Sequence, residues 1–244
     1  MTFGPVCSKC MMLNETGTTA CRACLSRLEG GEPTRIVRLV SEKQGERVGL
    51  ANLSGTGSIL IGRSEGEVVF DGDALMSPRH VEIVSETSGV YLVDQGSHNG
   101  VYLRVSEAEI RVGDMFMCAS EVLRLVGVVP SGGGSDGDDE YMGSPPADGG
   151  ALVLQQVLFG GRAGASWVRK PPIVIGRDSG DVIFPDDSYV SSRHSTIERS
   201  GKRIVLRDLE SANGTWLRIK GEYRVKDGDC FFAGRQMIKI EIKG

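Results

Sequence analysis

Two short stretches, LMSPRHVEIV at residues 75–84 and YVSSRHSTIE at residues 189–198, each set serine, arginine and histidine side by side between apolar positions. Three chemistries use such a set: a hydrolytic Ser/His couple, a metal ligand with neighbours, or a loop that holds an anion. The hydrolytic couple needs a presented nucleophile, a base within reach and an acid that orients it. No nucleophile-elbow pattern is present, and a serine three residues from a histidine does not by itself aim one side chain at the other. One histidine per copy is a poor metal site. An anion is served directly, because arginine offers five fixed donors and serine a compact one.

A second set is CSKC and CRAC, which places Cys7, Cys10, Cys21 and Cys24 in two Cys-x-x-Cys pairs separated by MMLNETGTTA. Soft thiolates in a tetrahedral array suit a structural Zn2+ ion with no open ligand position. Redox dithiols, two disulfides and iron–sulfur ligation are the alternatives. Cys118 and Cys230, in FMCA and DCFFAG, read as small buried hydrophobes.

The elements that position these groups occur twice. SILIGRSEGEVVF (58–70) aligns with PIVIGRDSGDVIF (172–184), and YLVDQGSHNGVYLR (91–104) with VLRDLESANGTWLR (205–218). Arg63 and Arg177, His80 and His194, and Asn99 and Asn213 all stand 114 residues apart; one residue is then inserted, so VGDMF (112–116) pairs with DGDCF (227–231). Matched blocks in fixed register mark an internal duplication. Short apolar or alternating runs such as ILIG, VEIV, VYLV and IKIEI, separated by Asn-Gly and Gly-Asp turns, predict an all-β fold and a β-sandwich in each repeat. PSGGGSDGDDEYMGSPPADGG (130–150) carries five acids and no base, and reads as a solvated linker with a reach of roughly 25 Å. The predicted organisation is therefore a cysteine module over 1–34, sandwiches over 35–129 and 151–244, and a flexible acidic Gly/Ser/Pro linker over 130–150.

The 244 residues carry a formal net charge of −4, with no basic stretch dense enough for a duplex-binding surface. No apolar run is long enough to span a membrane, the first residues lack a signal-peptide pattern, and a cytoplasmic location is expected. A head of about 34 residues buries too little to fold without its metal.

The ordered set Gly-Arg, Ser-x-x-His and Asn-Gly resembles the forkhead-associated (FHA) domain, twice over. The resemblance implies two eleven-stranded β-sandwiches, no enzymatic activity, and loops at one end that bind phosphothreonine peptides. It implies phosphate contacts for Arg63 and Arg177, hydroxyl donation from Ser77 and Ser191, and peptide-backbone contacts for Asn99 and Asn213. His80 and His194 would brace the loops from within, and Gly62, Gly176, Gly100 and Gly214 would form the turns. The cysteine head resembles a small zinc-ribbon or rubredoxin-like knuckle. The reading is a non-enzymatic adaptor in serine/threonine kinase signalling, whose partners are phosphothreonine proteins, either a kinase or its substrates. Its rivals are a zinc-ribbon nucleic-acid or transcription-associated factor with accessory FHA domains, and a scaffold with degenerate sites.

The repeats differ where the family often places a donor after the motif serine: Pro78 stands in repeat 1 and Ser192 in repeat 2. After Asn-Gly, repeat 2 has Thr215, whose hydroxyl can tie the turn to its own backbone, and repeat 1 has Val101. Repeat 2 is expected to be the better site. Thr16, Thr18 and Thr19 are candidate phosphorylation sites within the chain.

Overall fold

The computed structural model describes residues 7, 9–15, 20–26, 35–43, 46–129 and 150–243; the acidic linker and the three threonines lie outside the described residues. Each repeat contributes ten strands. Repeat 1 has β1 Ile36–Lys43, β2 Glu46–Ser54, β3 Gly57–Gly62, β4 Val68–Val69, β5 Val81–Glu86, β6 Gly89–Asp94, β7 Val101–Val105, β8 Glu107–Ile110, β9 Met115–Cys118 and β10 Glu121–Val129. Repeat 2 has β11 Ala151–Val157, β12 Ala163–Arg169, β13 Ile173–Gly176, β14 Val182–Ile183, β15 Ser195–Ser200, β16 Arg203–Asp208, β17 Thr215–Arg218, β18 Glu222–Val225, β19 Cys230–Ala233 and β20 Gln236–Lys243. Inward residues alternate as expected for half-buried strands: Val81, Ile83 and Ser85 on β5, Leu123 and Leu125 on β10. Among the described residues no helix is long and apolar enough to cross a membrane.

The all-β sandwiches are present, but strand pairing crosses the boundary between 35–129 and 151–244. One five-stranded sheet runs β4-β3-β5-β6-β18 and the other β14-β13-β15-β16-β8, so the last member of each comes from the opposite repeat. A ten-stranded sheet, β12-β11-β10-β9-β17-β7-β19-β20-β1-β2, faces both. The first core joins Val37, Ile61, Val81 and Leu103 to Val225, Phe231, Ile238 and Ile240. The second joins Ile110, Phe116, Leu123 and Leu125 to Leu152, Ile175, Ile197 and Leu206. Strands β8–β10 and β18–β20 have thus traded places.

The exchange takes place at two short connections. Only Ser106 separates β7 from β8, and only residues 219–221 separate β17 from β18. With one residue between them, β7 and β8 run almost continuously from the ten-stranded sheet into the five-stranded sheet of the second sandwich. The edge of β7 is then closed by antiparallel β17, with Leu103 opposite Leu217 and Tyr102 opposite Arg218. Among the described residues each repeat has ten strands, where the resemblance implied eleven. Cys118 lies in the second core, where burial pushes its thiol up to about 12. Cys230 is only half-buried, so the expectation of burial fails there.

Candidate functional site

Three loops of each repeat converge at one end of its sandwich. Arg63 follows β3, Ser77 lies between β4 and β5, and Asn99 lies between β6 and β7. Arg63 N–H donates to the Ser77 carbonyl at 2.9 Å, and Glu65 N–H to the Pro78 carbonyl at 3.1 Å. Repeat 2 matches, with Arg177 N–H donating to the Ser191 carbonyl at 2.9 Å. Gly62 and Gly176 permit this approach, since a Cβ on either would collide with the carbonyl of Pro78 or of Ser192.

The histidines sit inside these loops. His80 and His194 are fully buried. Nδ1 of His80 accepts from Ser77 N–H at 2.9 Å and Nδ1 of His194 from Ser191 N–H at 3.2 Å. That fixes the proton on Nε2, which donates to the Gly100 carbonyl at 3.1 Å and the Gly214 carbonyl at 2.9 Å. Each imidazole therefore joins the serine loop to the Asn-Gly loop. Burial holds the His80 pKa below the ordinary range, against the Gly100 carbonyl, which raises it.

The serine oxygens accept from backbone: His98 N–H reaches Ser77 Oγ at 3.0 Å and Ala212 N–H reaches Ser191 Oγ at 3.1 Å. With its oxygen engaged, each hydroxyl keeps its hydrogen for a ligand. Asn99 and Asn213 donate Nδ2 to the carbonyls of Leu75 and Tyr189, each at 2.7 Å, so both amides are held in one orientation. Neither Ser77 nor Ser191 is set to attack: Nδ1 of each histidine takes a backbone N–H, not the hydroxyl.

The structure differs from expectation at repeat 2. Thr215 Oγ1 donates to Asp208 Oδ1 at 2.6 Å, a side-chain anchor in place of the backbone tie. Ser192 Oγ donates to Asp178, whose carboxylate also lies 3.5 Å from Arg177 Nη2. The hydroxyl expected to favour repeat 2 is thus already engaged. In repeat 1 the position of Asp178 is Ser64.

Sequence reasoning did not single out Asp73, Asp187, Arg104 or Arg218. Asp73 Oδ2 accepts from Arg235 N–H at 2.7 Å and Gln236 Nε2 at 2.8 Å, tying the serine loop of repeat 1 to the β19–β20 turn of repeat 2. Asp187 accepts from Ser120 in the β9–β10 turn, the reciprocal tie. Burial raises Asp73, but the bonds from Gln236, Arg235 and Leu75 outweigh it and hold the carboxyl below its usual range. The signal was available: Asp73 and Asp187, like Arg104 and Arg218, share the 114-residue offset.

Among the described residues, the cysteine head brings Cys7, Cys10, Cys21 and Cys24 together with all four Sγ atoms within 4.8 Å of one another. Cys7 and Cys24 are 3.6 Å apart and Cys10 and Cys21 3.5 Å. These distances exceed a disulfide bond (about 2.05 Å) and approach the edge of a ZnS4 tetrahedron with bonds of about 2.3 Å, roughly 3.8 Å. Both knuckles share one backbone pattern. Met11 N–H donates to the Cys7 carbonyl and Leu25 N–H to the Cys21 carbonyl, with φ of 59° and 58° at Met11 and Leu25. The Ser26 hydroxyl and then the Cys10 backbone lower the Cys7 pKa to about 6, whereas at Cys10 the Met12 backbone lowers but the Cys21 and Cys24 thiols raise, to about 12, so the crowded thiols share protons that a metal ion would displace. The cluster fits a metal ion.

The FHA domain family matches residues 59–118 and 173–231. Curated proteins yield no match. Among solved structures, the chain is similar to Mycobacterium tuberculosis EmbR in complex with a low-affinity phosphopeptide, at 22% identity over 39% of this chain and 26% of that one, with a TM-score of 0.22. It is also similar to a structure from an analysis of phosphothreonine-dependent FHA domain interactions, at 28% identity over 38% of this chain and 98% of that one, with a TM-score of 0.22. The FhaA FHA domain in complex is 28% identical over 34% of this chain and 90% of that one, with a TM-score of 0.18. FHA domains are non-catalytic phosphopeptide-binding modules, in keeping with a non-enzymatic chain. Both family matches fall on the repeats that carry the arginine, serine and asparagine loops: the chain is an FHA-domain-containing protein with an N-terminal cysteine cluster able to hold a metal.

Proposed function

We propose that the chain is a cytoplasmic, non-enzymatic adaptor that binds phosphothreonine-containing proteins in serine/threonine kinase signalling. The observation that carries this reading is the paired loop geometry: in both repeats the backbone of an arginine bonds the backbone of a serine whose hydroxyl oxygen accepts from the Asn-Gly loop, and an oriented asparagine follows. A phosphate carries close to two negative charges and three strong acceptors, which a guanidinium and a hydroxyl complement. Asn99 and Asn213 are oriented to hold the peptide backbone. His80 and His194 set the loop spacing and do not touch the ligand. Zn2+ in the cysteine head would order that module without chemistry of its own.

The greater affinity expected of repeat 2 from Ser192 is offset by Asp178, which occupies that hydroxyl and adds a negative charge beside the proposed phosphate position. The deciding experiment is calorimetric titration of the full chain with phosphothreonine and matching threonine peptides, using wild type, Arg63→Ala, Arg177→Ala and the double variant. Phosphate-dependent binding that disappears in the double variant supports the reading. Binding indifferent to phosphate, or to both arginines, refutes it.

A further inference from the structure

The two repeats are related by an approximate two-fold axis through the β7–β17 pair. Leu103 stands opposite Leu217, its own counterpart at the 114-residue offset. The flanking pairs exchange under the same rotation, since Tyr102 faces Arg218 and Arg104 faces Trp216. The neighbouring strands obey it as well. Phe116 lies opposite Leu217 and Phe231 opposite Leu103, and the two phenylalanines are counterparts once the single inserted residue is counted. Ile110 pairs with Ile204 and Val225 with Val90, counterparts again. Side chains follow the backbone: a Cβ on Gly100 would collide with Arg218 Nε, and a Cβ on Gly214 would meet Arg104 Nε at 2.6 Å.

This rotation carries the loops of Arg63, Ser77 and Asn99 onto those of Arg177, Ser191 and Asn213. Asn99 precedes β7 and Asn213 precedes β17, and the two strands run antiparallel, so the Asn-Gly turns lie at opposite ends of the pair. At about 3.3 Å per residue the steps from Val101 to Val105 span roughly 13 Å, and each turn lies beyond its own end. Sheet hydrogen bonds hold that spacing, because β8 is paired with β16 and β18 with β6. The two sites are therefore set in fixed register by the exchanged strands, whatever the length of residues 130–150.

Symmetry then decides what fills both sites at once. Two surfaces related by a two-fold rotation are matched by two identical surfaces related by the same rotation. A two-fold rotation reverses every direction across its axis, so the two bound segments cross it in opposite senses. Identical segments from two copies of one partner meet this condition without a turn. One segment with two phosphothreonines has to fold back between them, at a cost in loop-closure entropy.

We propose that the chain recognises a homodimeric phosphoprotein, with one phosphothreonine from each subunit held by each repeat. The proposal rests on the reading of both arginine–serine–asparagine loops as phosphothreonine sites. Once the first subunit is bound, the second is presented at high effective concentration, because the spacing of the sites is already fixed. An affinity too low to act alone in either repeat then still adds to the pair.

The test uses the full chain and the phosphothreonine peptide of the titration above in four forms: a monomer, two copies joined through their N-termini, two copies joined through their C-termini, and two copies in head-to-tail series. All linkers are Gly/Ser runs of about ten residues, with a reach of roughly 17 Å. One of the two symmetric dimers should bind about tenfold or more tighter than the monomer, at one dimer per chain, and tighter than the head-to-tail form. Arg63→Ala and Arg177→Ala should each return that dimer to within about twofold of the monomer, as expected when a single site is left, with circular dichroism reporting retained strand content. The proposal is overturned if neither symmetric dimer gains over the monomer, if the head-to-tail form gains as much, or if light scattering shows one dimer bridging two chains. In each of these cases a monomer that binds only when phosphorylated leaves the phosphothreonine reading standing. A monomer whose binding to wild type is indifferent to phosphate refutes that reading and this proposal with it.

Discussion

Asp73 and Gln236, 163 positions apart in the sequence, meet through a hydrogen bond of 2.8 Å at the base of the serine loop of repeat 1. The bond joins the two repeats because β18–β20 lie in the first sandwich and β8–β10 in the second. The loop that carries Ser77 is therefore held in place by the far end of the opposite repeat.

Cutting the chain in the acidic segment should not separate its halves. A protease site placed within residues 130–150 would leave β10 paired with β11, β1 with β20 and β7 with β17. The nicked protein should elute from size exclusion at the position of the intact chain. Residues 151–244 expressed alone lack β8, which borders β16, and both β7 and β9, which flank β17, and should not yield a stable monomer. Separation of the halves, or a cooperative monomeric melt for that fragment, would contradict the exchanged topology.

Asp178→Asn should strengthen phosphopeptide binding at repeat 2 severalfold. The substitution removes a carboxylate 3.5 Å from Arg177 and loosens its hold on Ser192. Because the Arg177–Asp178 pair is exposed, its loss should change fold stability little. Calorimetry in an Arg63→Ala background isolates the effect, and weaker or equal binding would show that Asp178 does not compete with the phosphate.

Acid should destabilise the repeat 1 loops in two stages. The lowered His80 pKa means that the folded state binds fewer protons than the unfolded chain, so stability falls as pH drops below about 6.5. The Asp73 carboxyl is also held low in the folded state. Its contribution is full above about pH 4 and is lost as pH falls through the lowered value. Melting temperatures measured from pH 7.5 to pH 3 should show both losses, and Asp73→Asn should remove the lower one.

Arg63→Ala should weaken the repeat 1 site by about tenfold or more. A hydrogen bond to a charged partner is worth about 1.5–3 kcal/mol, and the tenfold step corresponds to about 1.4 kcal/mol. Lysine at this position should recover part of the affinity as a point charge without the guanidinium fork. Full retention of affinity in the alanine variant would remove Arg63 from the site.

The cysteine head should bind one zinc ion per chain and lose it in Cys10→Ser. The cores around Val37 and Ile110 contain none of its residues. Zinc content by atomic spectroscopy should therefore fall while the melting temperature of the sandwiches stays within a few degrees. A large drop in that temperature would mean that the head packs on the repeats.

The duplication, the β-strand periodicity, the two loop motifs and the four-cysteine cluster were all legible in the sequence. Each is set by local residue type and spacing: Ser77 and His80 are three positions apart, and Cys7 and Cys10 likewise. The partner of each strand was not legible. Strands β8–β10 and β18–β20 carry the same apolar pattern, so either set fits the face of either repeat, and pattern alone cannot assign one. Asp178 lies beside Arg177 in sequence, yet its hold on Ser192 appears only once the two loops are brought together. Only the tertiary structure decides these matters, because the partners are strands and loops far apart in sequence: β8 pairs with β16 and β18 with β6. That crossing is what sets Arg218 against Gly100 and Gln236 against Asp73.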